Sequence, residues 1–459
     1  MRAAVALLSM LLLPLLATHA SAQSLGFREA VELARTTEPV FLGAKATTAA
    51  AQERTRLALA GLLPQVNVSA GTNTNRRDYH QQGDGSFIDY YNSNNAQVSL
   101  TQPLFRRSNL YALRQAETAA SQADYQLVAA EQELLAKLVS AWLDVMAARD
   151  DVLLASRQAT LTREQWEILR RGVDLGTAAA PAAEEARARH EQALAENTSA
   201  EMDFQLRAAA LEQVIGPVRS FSPPHLRAAE QMRGLAGDSL EEWLERVDLS
   251  PQVRAARHAL IAADEEVRKQ RAGYEPTVDL VSTYGRNAQQ VGNFPGQPRY
   301  DIKTGTIGLQ LTVPIFSGGG QQAKVAEALA LREKANQDLA ATQRASRLAA
   351  KQAWYGWMAA SSRHPAARQA VRSFQLALRA AVQGIASGVK TEADRLQASA
   401  QLEGARRDFN KARYDLIASF VRLRALAGAL ADDDMLWLEF MFVAQEPDVQ
   451  ELASTSVQY

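Results

Sequence analysis

A long-period repeat constrains this chain more than any other feature. Pro39 has a counterpart at Pro251, Pro64 at Pro276, Trp142 at Trp354, Gly172 at Gly384 and Gly176 at Gly388; each pair stands 212 residues apart. Leu100-Thr101-Gln102-Pro103-Leu104-Phe105 matches Leu311-Thr312-Val313-Pro314-Ile315-Phe316 at a spacing of 211. The one-residue slip falls between Pro64 and Pro103, where a loop would absorb it. Self-similarity at a fixed period marks one structural unit built twice. The units are expected over residues 23–235 and 236–430, with 431–459 as a C-terminal tail.

Each unit reads in the same order. A helical segment comes first, near 25–61 and 239–273, and the second opens with the capping-box pattern Ser239-x-x-Glu242. Strands are expected near 65–76 and 92–103, and again near 277–287 and 301–314. From Thr306 to Val313 apolar and polar residues alternate without a break, as in a strand with one face in lipid and one in water. Hydrophilic loops rich in turn formers, around Gly83-Asp84-Gly85 and Gly292-Asn293-Phe294-Pro295-Gly296, separate the strands of each pair. Tyr79, Tyr90, Tyr91, Tyr284 and Tyr300 cluster near the strand ends, where strand packing and an interfacial girdle are equal readings.

Long helices follow, near 105–172 and 318–385, each with a second helix after a Gly-x-x-x-Gly turn, near 182–214 and 392–428. No proline falls between Leu104 and Ala180. At 1.5 Å per residue a helix over that stretch reaches roughly 100 Å. Antiparallel helices joined by a short turn form a hairpin, with the turn glycines Gly172, Gly176, Gly384 and Gly388 at its tip. Trp142 and Trp354 read as packing anchors. Gly318-Gly319-Gly320 reads as a turn. Pro365 stands where the first unit has Leu153, and a bend or short break is expected near Ser361–Pro365.

The ends and the charge narrow the setting. Arg2, an apolar run from Val5 to Ala17 and Ala20-Ser21-Ala22 describe a secretory signal peptide over residues 1–22. That run falls short of the ~20 apolar residues a spanning helix needs, and no later stretch is apolar enough. Work in a membrane must then be done with strands or interfacial helices. The chain has no cysteine, so neither disulfides nor a lipidated cysteine are expected. A net charge of -1 argues against nucleic acid, which rewards a basic face.

Four strands cannot close a transmembrane barrel, since the smallest have about eight. An open sheet in lipid leaves unpaired backbone groups, so chains must pool strands. Helices of roughly 100 Å outreach any bilayer, so most of the mass should stand in the periplasm. A protein wall of that length around a lumen is a conduit.

At this point the residues resemble the TolC-type outer-membrane efflux proteins, over nearly all of the mature chain. The resemblance rests on Leu62-Leu63-Pro64-Gln65, Gln102-Pro103-Leu104-Phe105 and Val313-Pro314-Ile315-Phe316-Ser317-Gly318-Gly319, together with the turns Gly172-x-x-x-Gly176-Thr177 and Gly384-x-x-x-Gly388. It implies an α+β membrane protein: a homotrimer whose twelve-stranded β-barrel, four strands per chain, continues into a long α-helical barrel of coiled-coil hairpins. It also implies a mixed equatorial region, here from the segment near 215–240 and the C-terminal tail. The expected partners are outer-membrane lipid, a periplasmic adaptor and an inner-membrane pump of ABC, RND or MFS type. No cofactor or metal is implied.

The family closes its periplasmic mouth near the second helix turn with charged side chains. Here the stretch reads Gly388-Val389-Lys390-Thr391-Glu392-Ala393-Asp394-Arg395-Leu396-Gln397. Asp394 falls on an acidic gate position and Lys390 on a basic one, with Glu392 between them. Gln397 replaces a second acid common in the family, so a double carboxylate ring is not expected. One acid per chain would still make a ring that favours cations. Asp394 also stands three residues after Thr391, the place of a helix-capping carboxylate, and both roles can hold at once. The first turn lacks polar partners before Glu184, so a salt-bridge lock between the turns should be absent or rearranged.

Other function classes fit less well. No metal-spaced histidines, nucleophile elbow or phosphate loop appears, which leaves no catalytic constellation. A periplasmic adaptor or coiled-coil scaffold explains the hairpins but not the strand pair before each one. A passive porin would need more strands and no such helices.

Overall fold

The computed structural model describes residues 25–80, 86–217, 224–226, 239–290 and 299–443. The signal peptide, both strand-connecting loops, most of 215–240 and residues 444–459 lie outside the described residues. In the first half, α1 (Phe27–Thr37), α2 (Pro39–Ala60), β1 (Gln65–His80), β2 (Ser86–Phe105), α3 (Arg107–Asp174) and α4 (Ala180–Ile215) follow one another. After the short β3 (His225–Leu226), the second half has α5 (Leu240–Asp248), α6 (Pro251–Arg271), β4 (Thr277–Gln289), β5 (Tyr300–Thr312), α7 (Gly320–Ala386) and α8 (Glu392–Leu426). The chain closes with α9 (Asp432–Met441) and β6 (Phe442–Val443).

The opening helical segment of each half is two helices rather than one. Pro39 and Pro251 take the first position of α2 and α6, where a missing N–H costs nothing but the previous helix cannot continue. Glu38 caps α2, its carboxylate accepting the Phe41 N–H at 2.7 Å. Ser239 caps α5 by accepting the Glu242 N–H at 3.3 Å, one arm of the expected box. Gly318 and Gly319 turn the chain into α7 with φ of 62° and 80°, a left-handed pair that non-glycine residues resist.

The four long strands form one antiparallel sheet in the order β1-β2-β4-β5. Its register sorts the side chains. Val66 and Val68 sit across from Leu100 and Val98, which sit across from Ser282 and Tyr284; Leu280 and Val278 in turn face Leu309 and Leu311. Alternation puts all of these on one face, where Val68, Ile307, Leu309 and Leu311 are widely exposed. The opposite face carries Gln65, Asn67, Ser69, Gln97, Ser99, Thr101, Thr283, Thr306 and Gln310. From Val278 to Tyr284 the apolar band is about 20 Å tall, at ~3.4 Å per residue. It ends at the Arg286–Asp301 ion pair, 2.7 Å. Among the strand-end tyrosines, Tyr90 and Tyr284 belong to the apolar face and Tyr91 and Tyr300 to the polar one. No helix among the described residues is long and apolar enough to cross a membrane. β1 and β5 are the two outer strands of the sheet.

Two ion pairs fasten sheet to helix. Arg106, just before α3, reaches the nearly buried Asp279 of β4 at 2.5 Å, and Arg107 reaches Glu275 at 3.0 Å. From there α3 runs 68 residues and α7 67, each about 100 Å. Halfway along, the main core gathers α1 and α9 against α3 and α8. Trp142 is fully buried, its ring 5.4 Å from Phe27 in an edge-on contact, with Leu138, Ile417, Leu438 and Met441 around it. β3 and β6 pair beside this core, so a mixed α/β collar rings the waist of the helices.

Of the bend or short break expected near Ser361–Pro365, the break is not there. α7 is one helix from Gly320 to Ala386. Proline removes its own N–H, which would have bonded Ser361, and its ring crowds the Ser361 carbonyl. Packing holds both sides: Trp357 and Ala360 are buried before it, Ala381 after it, and the His364 ring lies 5.5 Å from Phe409 of α8. The hydroxyls of Ser361 and Ser362 both donate to Met358 O, at 2.9 and 3.0 Å.

Candidate gate at the helical hairpin turns

The far tips of the helices lie about 100 Å from the sheet, and both end in the same backbone motif. In the first, Thr177 N–H bonds Gly172 O at 2.8 Å and Gly176 N–H bonds Val173 O at 3.0 Å. In the second, Val389 N–H bonds Gly384 O at 2.8 Å and Gly388 N–H bonds Ile385 O at 3.0 Å. These are paired Schellman bonds, satisfying helix-terminal carbonyls. They need a left-handed residue, and Gly176 (φ 73°) and Gly388 (φ 75°) supply it. The earlier glycine of each pair has another reason. A Cβ on Gly172 would lie 2.9 Å from Ala178 Cβ, and one on Gly384 would lie 2.5 Å from Lys390 Cγ. The spacing Gly-x-x-x-Gly thus encodes one residue that must turn and one that must be passed closely.

Beyond the glycines the turns diverge. Ala179, the N-cap of α4, offers no side-chain hydrogen bond. Thr391, the N-cap of α8, makes a full capping box with Asp394: its hydroxyl oxygen accepts the Asp394 N–H at 3.2 Å, and the Asp394 carboxylate accepts the Thr391 N–H at 2.8 Å. The Thr391 hydroxyl is also 2.8 Å from that carboxylate. These bonds, with Lys390 nearby, hold the Asp394 carboxyl below the usual carboxylate range. Asp394 and Gln397, three apart on α8, share a face.

Lys390 lies with its stem over Gly384. Glu392 turns to Arg395, which it pairs with directly, and Arg395 also stands 4.0 Å from Glu164 on α3. Residues 384–397 therefore split into a capping carboxylate, Asp394, and a bridge from α8 to α3. Neither Arg395 nor Glu164 stood out in sequence. The Glu392-x-x-Arg395 spacing signals the local pair, but nothing near Glu164 announces its distant partner.

The family model for outer membrane efflux proteins matches residues 30–217 and 246–429. The chain belongs to that family. Among its relatives is the alkaline protease secretion protein AprF of Pseudomonas aeruginosa, 28% identical over 437 residues, which span 94% of this chain and 90% of that protein. The outer membrane protein TolC of Vibrio cholerae is 28% identical over 410 residues, 88% of this chain and 90% of the relative. The fold is shared with the crystal structure of the Campylobacter jejuni CmeC outer membrane channel, at a TM-score of 0.76 and 16% identity, covering 94% of this chain and 89% of that one. As an outer membrane efflux protein, the chain resides in the outer membrane.

Proposed function

We propose that three copies of the chain form a continuous conduit from periplasm to exterior, serving an efflux or type I secretion system. The sheet carries this reading: four strands, apolar on one face, polar on the other, with β1 and β5 at its edges. In lipid such edges need strands from other chains, and three chains give a barrel of twelve. The polar faces then line a lumen that the helices continue below. Members of this family are channels rather than enzymes. An adaptor or scaffold has no use for a sheet with an exposed apolar face, so that reading is disfavoured. The partners are a periplasmic adaptor and an inner-membrane pump of ABC, RND or MFS type, and the pump selects the cargo. Outer-membrane fractionation followed by gel analysis should show a heat-sensitive trimer; a monomeric periplasmic species would defeat the proposal.

The gate is assigned to Asp394, one carboxylate per chain, converging in the trimer to a ring that favours cations. Because Asp394 also caps α8, alanine would disturb charge and helix together. Asp394→Asn keeps an oxygen acceptor and removes only the charge. Single-channel recording should show a clear loss of cation preference with the trimer intact; an unchanged preference removes Asp394 from the gate. The folded-state pKa is depressed, so its stabilising contribution is present above the unfolded carboxylate range and is lost as pH falls through the folded value. In the ring, repulsion among the three carboxylates works against the cap's lowering, so cation preference should fade as acid is added through the carboxylate range. Loss of preference already near neutral pH would contradict the assignment.

A further inference from the structure

The two strand pairs of the chain are equivalent position by position. Gln65 lies opposite Thr101 in the first, and Thr277 lies opposite Thr312 in the second. Moving Gln65 by 212 residues and Thr101 by 211 turns the one pair into the other. One seam joins the halves, β2 against β4. The edges left over, β5 and β1, are the repeat counterparts of those same two strands.

Equivalent strands nevertheless end differently. β2 runs through Pro103 to Phe105, where Phe105 lies opposite Val278 of β4. β5 stops at Thr312, although Val313-Pro314-Ile315-Phe316 repeats the pattern of Gln102-Pro103-Leu104-Phe105. Leu104 and Phe105 are 56% and 44% exposed, whereas Ile315 and Phe316 are 94% and 89% exposed. The neighbour makes the difference: β2 is paired on both sides and β5 on one.

We propose that β5 of one copy pairs with β1 of the next in the register that β2 keeps with β4. This rests on the trimer put forward above and gives its seam residue by residue. Carried over by the repeat, Leu100–Ser282 becomes Leu311 against Ala70 of the next copy, and Thr101–Val281 becomes Thr312 against Ser69. Phe105–Val278 becomes Phe316 against Val66, so β5 continues past Thr312 in the assembly. At the other end the Gln290 N–H bonds Asn92 O at 2.9 Å, and this pair becomes Lys303 against Asp78 of the next copy.

Faces and charges select the same register. A slip of one residue would set the apolar face of β5 against the polar face of β1, so only slips of two preserve the alternation. As proposed, Lys303 meets an opposite charge beyond the apolar band, beside the Arg286–Asp301 pair. A slip of two in one direction puts Lys303 against Arg76 and Asp301 against Asp78, two like-charge pairs that destabilise a sheet. The opposite slip puts Arg76 against Ile307, inside the apolar band. At the helix end the two seams part company. Arg106 and Arg107 have Ser317 and Gly318 as counterparts, and their partners Asp279 and Glu275 have Asn67 and Leu63. The seam within the chain is ion-paired there, and the seam between copies is not.

The test is disulfide trapping, since the chain has no cysteine of its own. Full-length protein is extracted from outer membranes in detergent, oxidised, boiled and run on non-reducing gels. Ser69→Cys with Thr312→Cys, and Asn73→Cys with Gly308→Cys, match the register. Ser69→Cys with Gln310→Cys, and Asn73→Cys with Gln310→Cys, miss it by two residues in opposite directions. All these positions lie on the polar face. Within one chain β2 and β4 separate β1 from β5 by roughly 14 Å, too far for a disulfide. The matched pairs should give about tenfold more covalent trimer than the missed ones, whose Cα atoms would stand ~7–8 Å apart. Stronger linkage in either missed pair overturns the register, and so does no linkage in any of the four, while an unboiled trimer keeps the conduit reading standing. Loss of the unboiled trimer in the cysteine-free parent overturns both.

Discussion

The two long helices α3 and α7 differ by one residue in length and carry tryptophan at matching repeat positions, yet they do different work. α3 is a spine: Leu134, Leu135, Leu138, Val139, Trp142, Leu143 and Met146 are all buried along it. α7 buries mainly alanines, Ala328, Ala350, Ala353, Ala360 and Ala381, with Ser346 and Trp357. Trp142 is fully enclosed, whereas Trp354 is half-buried and packs near Trp243 and Leu423. Duplication therefore supplied two equal rods, and the core closed by α1, α9 and β3–β6 draws heavily on α3 but takes only Trp357 and Ala360 from α7. The helix left lighter is the one that leads to the capped, acidic turn. An element that must move is better drawn from the less deeply packed end of a structure.

The sharpest way to break this comparison is to delete both tryptophans in turn. Trp142→Ala should cost about 3–5 kcal/mol in denaturant unfolding, as for other fully enclosed aromatics. Trp354→Ala should cost clearly less; an equal cost would mean that a neighbouring chain covers α7 and that the two rods are equally anchored. Next in size, Pro365→Leu puts the first-half residue into α7 and restores a hydrogen bond to Ser361. A gain of up to about 3 kcal/mol is expected, with slower amide exchange around Ser361. No gain would show that packing by His364 and Trp357 already offsets the missing bond. The smallest effects belong to the caps. Thr391→Ala should lose about 1 kcal/mol, and Ala179→Ser should add up to about 1 kcal/mol to α4, both read from local exchange at the first helical turns. Equal responses at the two turns would erase the distinction drawn between them.

Much of this was legible before any coordinates. Gly176 and Gly388 announce the turns because left-handed backbone admits few other residues, and the alternation from Thr306 to Val313 announces a two-faced strand. Thr391 and Asp394 announce a cap through spacing alone. What could not be read depends on distance. Pro365 looked like a break because its local cost is plain, while the side chains that hold α7 through it come from α8. The Arg395–Glu164 approach and the Arg106–Asp279 pair join residues far apart in sequence, and no period connects them. The strands also run further than expected, β2 beginning at Ser86 rather than near 92, because polar residues such as Asn92, Ser93 and Asn94 are at home in a sheet that faces water.

The open edges of the sheet carry a consequence for inheritance. If, as proposed, three chains pool their strands, the barrel admits no partial success: one copy whose β5 cannot pair leaves an unmet row of amides in lipid and spoils its two sound neighbours. In a cell making sound and edge-defective chains in equal amounts, random mixing would leave only about one trimer in eight intact. A lesion in that strand would thus behave as dominant, whereas a lesion that stops the chain from folding at all would stay silent beside a good copy.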